Sequence, residues 1–267
     1  MCLILVAVRV HPSFKLILAA NRDECYDRPT AKAAFWPEFP ELLAGKDLCA
    51  GGTWVGITTG GRIAAVTNYR DPSFNSSDAP SRGTLVSEFL IGQQHPREYL
   101  ERLNQKADIY NGFSLIVGEK EVLYVYSNRD KRVRNLSAGI YGLSNHLLDT
   151  PWPKVVRGKE TLERLLSDRT DPNTDAIFEI LENRSIPNDR HLPDTGVGLR
   201  WERILSPIFV SSPTYGTRSS NIILIDLEDH VTFAERTFNS KLPPDSEQGK
   251  HQPKPFTERV FHFSLSK

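Results

Sequence analysis

A chain of 267 residues with 33 basic and 33 acidic side chains carries no formal net charge, so no global field draws it to nucleic acid or an anionic membrane. The length suits one large α/β or sandwich domain, and we expect residues 1–267 to form a single domain. The three cysteines, Cys2, Cys25 and Cys49, lack CxxC spacing, which argues against a disulfide framework or a zinc site. They favour a reducing compartment, and we expect a cytoplasmic location.

The chain opens on an apolar run that predicts a strand. Arg9 interrupts the run, and no basic segment or small-residue cleavage site marks it as a signal peptide. Residues 2–9 and 15–20 flank the turn signal His11-Pro12-Ser13 and together predict a β-hairpin. No later stretch approaches the length of a membrane span, so we expect no transmembrane segment.

Beyond a Pro-rich stretch at Pro29, Pro37 and Pro40, hairpins alternate with helices. Gly60-Gly61 marks the turn of a second hairpin, whose strands cover 52–58 and 62–67. Helical spacing then predicts helices around 85–90 and 99–103. Strand patterns follow over 113–117, 122–126 and 139–143.

The second half predicts helices over 153–166 and 175–181, a polar loop or flap over 183–199, and strands over 219–226, 231–235 and 260–265. A polar insert around 243–255 is expected to be mobile. Helices therefore fall in blocks between antiparallel strand pairs and do not follow every strand. This order predicts an α+β fold, a layered sandwich with helices packed against hairpin-built sheets.

The most informative single position is Cys2. We expect Met1 to be removed, because cysteine is small, and this would place a thiol and a free α-amine on one residue. An α-amine titrates near pH ~8, so it can accept the thiol proton and activate the nucleophile without a histidine. A free cysteine also packs well as a small apolar residue at the start of a buried strand. Cys2 needs partner residues before it can be read as a nucleophile.

Several polar residues follow predicted strands and are candidate partners. Asn21-Arg22-Asp23-Glu24 closes the first hairpin and returns towards Cys2, although a surface turn or helix cap would also explain it. Asn68 and Asn145 each follow an apolar strand, where an amide can donate to a developing oxyanion. Arg218 opens a strongly apolar strand, as a cleft-facing cation or a structural ion pair would.

These residues belong to ordered blocks that resemble the NRDE family, also called the transport and Golgi organization protein 2 family. The blocks are Asn21-Arg22-Asp23-Glu24, Gly51-Gly52-Thr53-Trp54, Thr67-Asn68-Tyr69, Tyr110-Asn111-Gly112-Phe113, Tyr141-Gly142-Leu143-Ser144-Asn145 with Thr150-Pro151-Trp152, and Tyr215-Gly216-Thr217-Arg218. The match continues to the terminal Phe261 to Leu265. The resemblance implies a cytoplasmic or organellar protein linked to lipid and haem handling.

A fainter resemblance reaches the N-terminal-nucleophile (Ntn) hydrolases of the choloylglycine hydrolase and penicillin acylase type. It implies an αββα four-layer sandwich of mainly antiparallel sheets and a cysteine exposed by loss of the initiator methionine. The matching residues, in chain order, are Cys2, Asn21 with Asp23, Asn68, Asn145 and Arg218. The arginine that precedes the Asn-x-Asp element in those enzymes is Ala20 here, and the nearby arginine is Arg22.

The first functional hypothesis is a hydrolase for an amide or thioester of a hydrophobic acyl substrate. Cys2 attacks the carbonyl, its α-amine moves the proton and Asp23 orients the amine. Asn68 or Asn145 stabilises the oxyanion, and Arg218 positions the nucleophile or contacts an acidic group. Substrate binding is assigned to Asn21, Arg22, Trp54 and Tyr69. No cofactor or metal is called for.

The alternative is a carrier without chemistry. The same cleft would hold a small hydrophobic anion such as an acyl-CoA or haem, with Arg22 and Arg218 paired to phosphate or propionate. A histidine-ligated haem has little support, because only His146 of the seven histidines lies beside a motif block, although a thiolate ligand stays open. A third reading is an adaptor protein with an inactive site.

Overall fold

Thirteen strands form two antiparallel sheets in the computed structural model, which describes residues 2–120, 122–168, 170–238 and 256–266. The six-stranded sheet has the order β10 (Gly139–Leu143), β1 (Cys2–Val8), β2 (Phe14–Cys25), β11 (Tyr215–Asp226), β12 (His230–Phe238) and β13 (Phe256–Ser264). The seven-stranded sheet follows chain order: β3 (Thr30–Trp36), β4 (Phe39–Asp47), β5 (Val55–Thr58), β6 (Arg62–Asn68), β7 (Phe113–Glu119), β8 (Val122–Ser127) and β9 (Val133–Leu136).

Side-chain alternation along β1 shows how the sheets stack. Ile4 and Val6 belong to a core shared with the seven-stranded sheet, whereas Leu3 and Leu5 pack against helices on the other face. A strand covered on both faces must be apolar throughout, which explains why β1 reads as a continuous hydrophobic run.

Helices cover the two outer faces. The helices are α1 (Gly83–Ile91), α2 (Pro96–Asn104), α3 (Pro153–Ser167), α4 (Thr174–Leu181) and α5 (Leu199–Leu205). Phe89 of α1 and Leu100 of α2 pack on the seven-stranded sheet, and Leu162 of α3 and Phe178 of α4 pack on the six-stranded sheet. The predicted α+β sandwich is confirmed as an αββα stack of four layers.

The predicted hairpins, helices and late strands are present, but four elements had not been predicted. Strands β3 and β4 occupy the Pro-rich stretch. There Pro40 stands near the start of β4, before the pairing with β5 begins at Leu42, and a proline is tolerated at such a position. Short β9 and α5 were also missed. The expected insert at 243–255 lies outside the described residues.

The segment predicted as a flap is anchored to the core through α5. Glu202 is 3% exposed and forms an ion pair of 2.6 Å with the buried Arg70. Its other carboxylate oxygen accepts hydrogen bonds from the backbone N–H and hydroxyl of Thr195. The sequence pattern of 183–199 gave no sign of this buried anchor.

Candidate active site around Cys2

Cys2 is the first residue of β1 and lies opposite Arg22 in the antiparallel pairing of β1 with β2. It shares a strand face with Ile4 and Val6, so its side chain is directed into the space between the sheets. The Ser144 hydroxyl donates to the Cys2 carbonyl oxygen at 2.9 Å, which ties the end of β10 to this position. Asn21-Arg22-Asp23-Glu24 is part of β2, so the alternative of a surface turn or helix cap is wrong.

A cleft of about 120 Å³ opens in front of Cys2. Its walls contain five of the predicted site residues, which are Cys2, Arg22, Asp23, Trp54 and Asn68. They also contain Glu24, Arg28, Asp47, Thr53, Val66, Ser81, Arg82 and Gly83. This volume is well below the roughly 300–1,000 Å³ of sites that enclose a drug-sized ligand. The cleft has room for a reacting carbonyl and its immediate neighbours.

Arg22 is held as a rigid cation at the cleft. It is 5% exposed, and its guanidinium stacks over the Trp54 ring at 4.4 Å from the centroid. It also donates to the Thr30 hydroxyl at 3.3 Å and lies 3.7 Å from the Glu24 carboxylate. Stacking on an indole fixes the plane of a guanidinium and so limits the directions from which a ligand can bind it.

Asp23 is buried between β2 and β11. Its carboxylate accepts a hydrogen bond of 2.7 Å from the Thr217 hydroxyl, and its backbone carbonyl accepts one of 2.9 Å from the Tyr215 hydroxyl. Burial raises the pKa of Asp23, while the Lys154 charge and the Thr217 hydrogen bond act in the opposite direction. A nearby ammonium group stabilises the ionised form of a buried carboxylate.

Asn68 and Asn145 occupy different depths. Asn68 ends β6 on the cleft wall and is partly exposed. Asn145 is fully buried behind it, with a φ of 53°, and its amide nitrogen donates to the Asn68 carbonyl oxygen at 3.1 Å. Asn68 therefore lines the cleft, whereas the Asn145 amide contacts the Asn68 backbone from behind.

The structure does not bring Asn21 to the cleft. The Asn21 side chain lies on the helical side of β2, 1% exposed, where its amide nitrogen donates to the Leu181 and Ile208 carbonyls. Its amide oxygen accepts from the Ser220 hydroxyl at 2.6 Å. These contacts join α4 and the segment after α5 to the sheet, and they leave no group facing a ligand.

Arg218 also lies outside the cleft wall. A β-bulge between Thr217 and Ser219 displaces it from the regular pairing of β11 with β2. Its guanidinium donates to the carbonyls of Cys25 and Arg28 at 2.8 and 3.1 Å. Burial lowers the pKa of Arg218, and the neighbouring charge of Arg22 acts in the same direction.

Tyr69 is joined to His146 beside the cleft. The Thr150 hydroxyl donates its proton to the Leu147 carbonyl, so the contact of 2.8 Å between Thr150 and His146 requires a proton on Nδ1 of His146. Nε2 then accepts from the Tyr69 hydroxyl at 2.7 Å. Burial lowers the pKa of His146, which favours this neutral tautomer.

Two charged residues near Cys2 were not predicted from the sequence. Arg82 lies on the cleft wall immediately before α1. Lys154 is 2% exposed on α3 and donates to the Leu205 carbonyl at 3.1 Å. Burial lowers the pKa of Lys154 to about 8, although the charges of Asp23 and Cys2 oppose the shift.

A glycine explains how Arg82 reaches the cleft. A Cβ atom on Gly52 would lie 2.4 Å from the carbonyl carbon of Gly83, so only glycine allows the segment before Trp54 to touch the start of α1. The Thr53 N–H donates to the Gly83 carbonyl at 3.2 Å across the same contact. The Gly51-Gly52-Thr53-Trp54 block thereby places Trp54 and Arg82 on one wall.

One group with metal-ligand spacing is found in the described part of the chain. Asp226, Glu228 and His230 bring ligand atoms within 4.8 Å of one another in the β11–β12 turn. Asp226 already accepts hydrogen bonds from the Glu228 and His230 backbones, which are ordinary turn contacts. This turn is at the opposite end of β11 from Arg22 and Cys2. No helix in the described ranges has the length and apolar character needed to cross a membrane.

Comparisons with known proteins agree over nearly the whole chain. A family model described as "Transport and Golgi organisation 2" matches residues 1–240. The transport and Golgi organization protein 2 homologue of Bos taurus is 38% identical, over 94% of this chain and 98% of its own. The corresponding Drosophila melanogaster protein is 27% identical, over 97% of this chain and 100% of its own.

Solved structures support the fold. A mutant conjugated bile acid hydrolase from Clostridium perfringens aligns with a TM-score of 0.54 at 9% identity, covering 100% of this chain and 98% of that one. Penicillin V acylase from Agrobacterium tumefaciens aligns with a TM-score of 0.50 at 10% identity, covering 99% of this chain and 86% of that one. At such identities the likeness concerns the fold alone, which is that of the Ntn hydrolases.

Proposed function

The chain belongs to the Transport and Golgi organisation 2 family, and from that premise we propose that it is a hydrolase whose nucleophile is Cys2. The observation that carries the proposal is the meeting of Cys2, Asp23 and Asn68 at one cleft. A thiol, a carboxylate and a primary amide have separate roles in acyl transfer, and their side chains come from β1, β2 and β6.

The reaction begins once Met1 has been removed and Cys2 carries the free α-amine. The thiol proton passes to the amine, and the sulfur attacks the carbonyl carbon of an amide or thioester. The Asn68 amide donates to the resulting oxyanion, and Asp23 orients the ammonium group. The carbon–nitrogen or carbon–sulfur bond then breaks, and the ammonium gives its proton to the leaving group.

Water completes the cycle. The α-amine accepts a proton as water attacks the acyl-Cys2 thioester, and the released acid leaves a free thiol. The small cleft volume fits a substrate whose scissile carbonyl enters while its apolar chain lies outside. Asn145 and Arg218 have positioning roles in this scheme, through the Asn68 carbonyl and through the backbone at Cys25 and Arg28.

Two measurements test the proposal. Intact-mass analysis of the purified protein should show loss of Met1, since a retained methionine would remove the free amine and with it the mechanism. Hydrolysis of long-chain acyl-amides and acyl-thioesters should then be abolished by Cys2→Ala. Ligand titrations with the same compounds form the control, and Cys2→Ala should leave that binding largely intact.

A carrier for acyl-CoA or haem is the competing function. It would give saturable binding without turnover in the wild type, unaffected by Cys2→Ala. The proposed location is the cytoplasm, in keeping with three free cysteines of which two are exposed.

A further inference from the structure

Some charged side chains that line the cleft form ion pairs, and Arg82 forms none with any described residue. Arg28 forms a two-pronged pair with Asp47, with its closest contact at 2.7 Å. Glu24 lies between two arginines, 3.7 Å from Arg22 and 3.8 Å from Arg28. Glu24 and Asp47, two of the three acidic residues that line the cleft, are therefore already paired with arginines.

Arg82 has no such partner. Its Nη1 donates to the Gly112 carbonyl at 3.1 Å, and no carboxylate of the described residues lies within ion-pair distance of it. A guanidinium has five N–H donors, and this hydrogen bond uses one of them in a residue that lines the cleft. Burial lowers the pKa of Arg82, while the charges of Cys2 and Glu24 act against this shift.

A partly buried cation without a counter-ion is destabilising, and an anion that enters the cleft would relieve that cost. The planar fork of arginine matches the two oxygens of a carboxylate or phosphate. Arg22 provides a second guanidinium on the same cleft, held in place by Trp54. Cys2 lines the same cleft, so an anion bound here would be a near neighbour of the reacting carbonyl.

We propose that Arg82, assisted by Arg22, binds a carboxylate or phosphate group that the substrate carries near its scissile acyl bond. The inference rests on the proposed function for the identity of the cleft as a substrate site. It adds a specificity that the nucleophile does not provide, because an anionic acyl compound would be selected over a neutral one of equal length.

Alkylation of Cys2 by two small reagents tests the proposal without any turnover. Iodoacetate carries a carboxylate, and iodoacetamide is its neutral counterpart. Both form the same sulfur–carbon bond with loss of iodide. The measurement is the ratio of the iodoacetate rate to the iodoacetamide rate at Cys2, read by peptide mass spectrometry, with the exposed Cys49 as internal reference.

We expect Arg82→Gln to lower this ratio at Cys2 at least fivefold and to leave the ratio at Cys49 unchanged. Arg82→Lys, which keeps the charge but loses the fork, should give an intermediate ratio. Arg164→Gln makes the same charge change on the exposed face of α3 and should have no effect. If Arg82→Gln slows both reagents equally, Arg82 acts on the thiolate and the proposal fails, as it does if neither rate changes.

A competition experiment on the wild type covers the case in which Arg82 variants do not fold. Acetate or inorganic phosphate should slow iodoacetate at Cys2 without slowing iodoacetamide. Protection by acetate alone assigns a carboxylate, and protection by phosphate alone assigns a phosphate. Absence of protection by either anion overturns the proposal. A protein that labels with this preference but hydrolyses nothing would refute the hydrolase function and leave the anion site standing.

Discussion

The side-chain amide of Asn145 donates to the main-chain carbonyl of Asn68, so Asn145 supports the backbone at Asn68. The adjacent Arg70 N–H donates to the Asn145 carbonyl at 2.7 Å, and the Tyr69 hydroxyl donates to His146. The last residue of β6 and the two residues after it are thus joined to the loop after β10. The position of Asn68 at the cleft depends on these three hydrogen bonds.

The same chemical change should affect stability at Asn145 and activity at Asn68. Asn145→Asp replaces a buried donor by an acceptor that faces a carbonyl oxygen, and we expect a loss of about 3 kcal/mol and a Tm lower by roughly 5–10 °C. Asn68→Asp should change stability by less than about 1 kcal/mol, since the residue is partly exposed. It should lower hydrolysis roughly 100-fold or more, because the oxyanion donor is lost. Thermal unfolding and rate measurements on both variants separate the two roles.

Asp23→Asn should leave the protein at least as stable at pH 7 while abolishing hydrolysis. Burial raises the pKa of Asp23, so the folded state favours its protonated form. The associated stabilisation is present at low pH and is lost as pH rises from about 4 through the raised pKa. Denaturant unfolding at pH 4.5 and 7 should show wild-type stability falling with pH relative to the variant.

Asp47→Asn is the matched control for Asp23→Asn, and the pH dependence of stability should have the opposite sign. Burial opposes ionisation of Asp47, but hydrogen bonds from Arg28 and the Cys49 N–H outweigh it and lower the pKa. The ionised carboxylate therefore stabilises the folded state above about pH 4, and that contribution is lost as pH falls. At pH 7 this variant should be less stable than the wild type. Equal effects of the two changes would contradict the charge assignment.

Lys154→Met should remove the destabilisation caused by a buried ammonium group, which in the wild type diminishes as pH rises above about 8. The pKa of Lys154 is lowered to about 8, so below pH 8 the buried ammonium reduces stability. The unfolded chain keeps its proton up to about pH 10, and wild-type stability should rise between these limits by at most about 1.4 kcal/mol per pH unit relative to the variant. Lys159→Met, which removes a partly exposed amine from the same helix, controls for general effects on α3. A flat difference between pH 7.5 and 9.5 would show that Lys154 is not buried as a cation.

Gly52→Ala should disturb the cleft through the backbone. Its methyl group would meet the backbone of Gly83 and Thr84, which cannot rotate away, and we expect a cost of about 3 kcal/mol or more. The iodoacetate preference at Cys2 should fall as well, since the displaced start of α1 carries Arg82. Gly60→Ala is the control, because its methyl group would meet only Thr58 Oγ1 at 3.7 Å. Unchanged stability of Gly52→Ala would contradict the close contact.

The sequence predicted the pairing around Cys2 because a hairpin leaves few choices. Apolar runs on both sides of His11-Pro12-Ser13 had to return the second strand beside the first, which brought Arg22 opposite Cys2. Arg82 could not be found in this way. Its position depends on how α1 packs on the segment after Gly52, a tertiary contact without a local pattern.

Lys154 did leave a signal. It stands four residues before Gly158 and eight before Leu162, in the stripe that α3 buries. A lysine in an apolar stripe indicates a buried amine with a specific partner, and this spacing was available from the sequence. The deep position of Asn145 left no comparable trace, because an asparagine after a strand has the same pattern whether its amide faces a cleft or a carbonyl group.

The order of strands in the two sheets has a consequence for synthesis on the ribosome. The seven-stranded sheet is one uninterrupted stretch of chain, from Thr30 to Leu136, and can assemble as soon as it emerges. Strand β2 must wait for β11, which is made about 190 residues later, roughly 10–40 s at ordinary elongation rates. The β1–β2 hairpin spends that interval with an unpaired edge, in reach of a ribosome-bound peptidase. The proposed removal of Met1 would fall in this interval, before the sheet that surrounds Cys2 is complete.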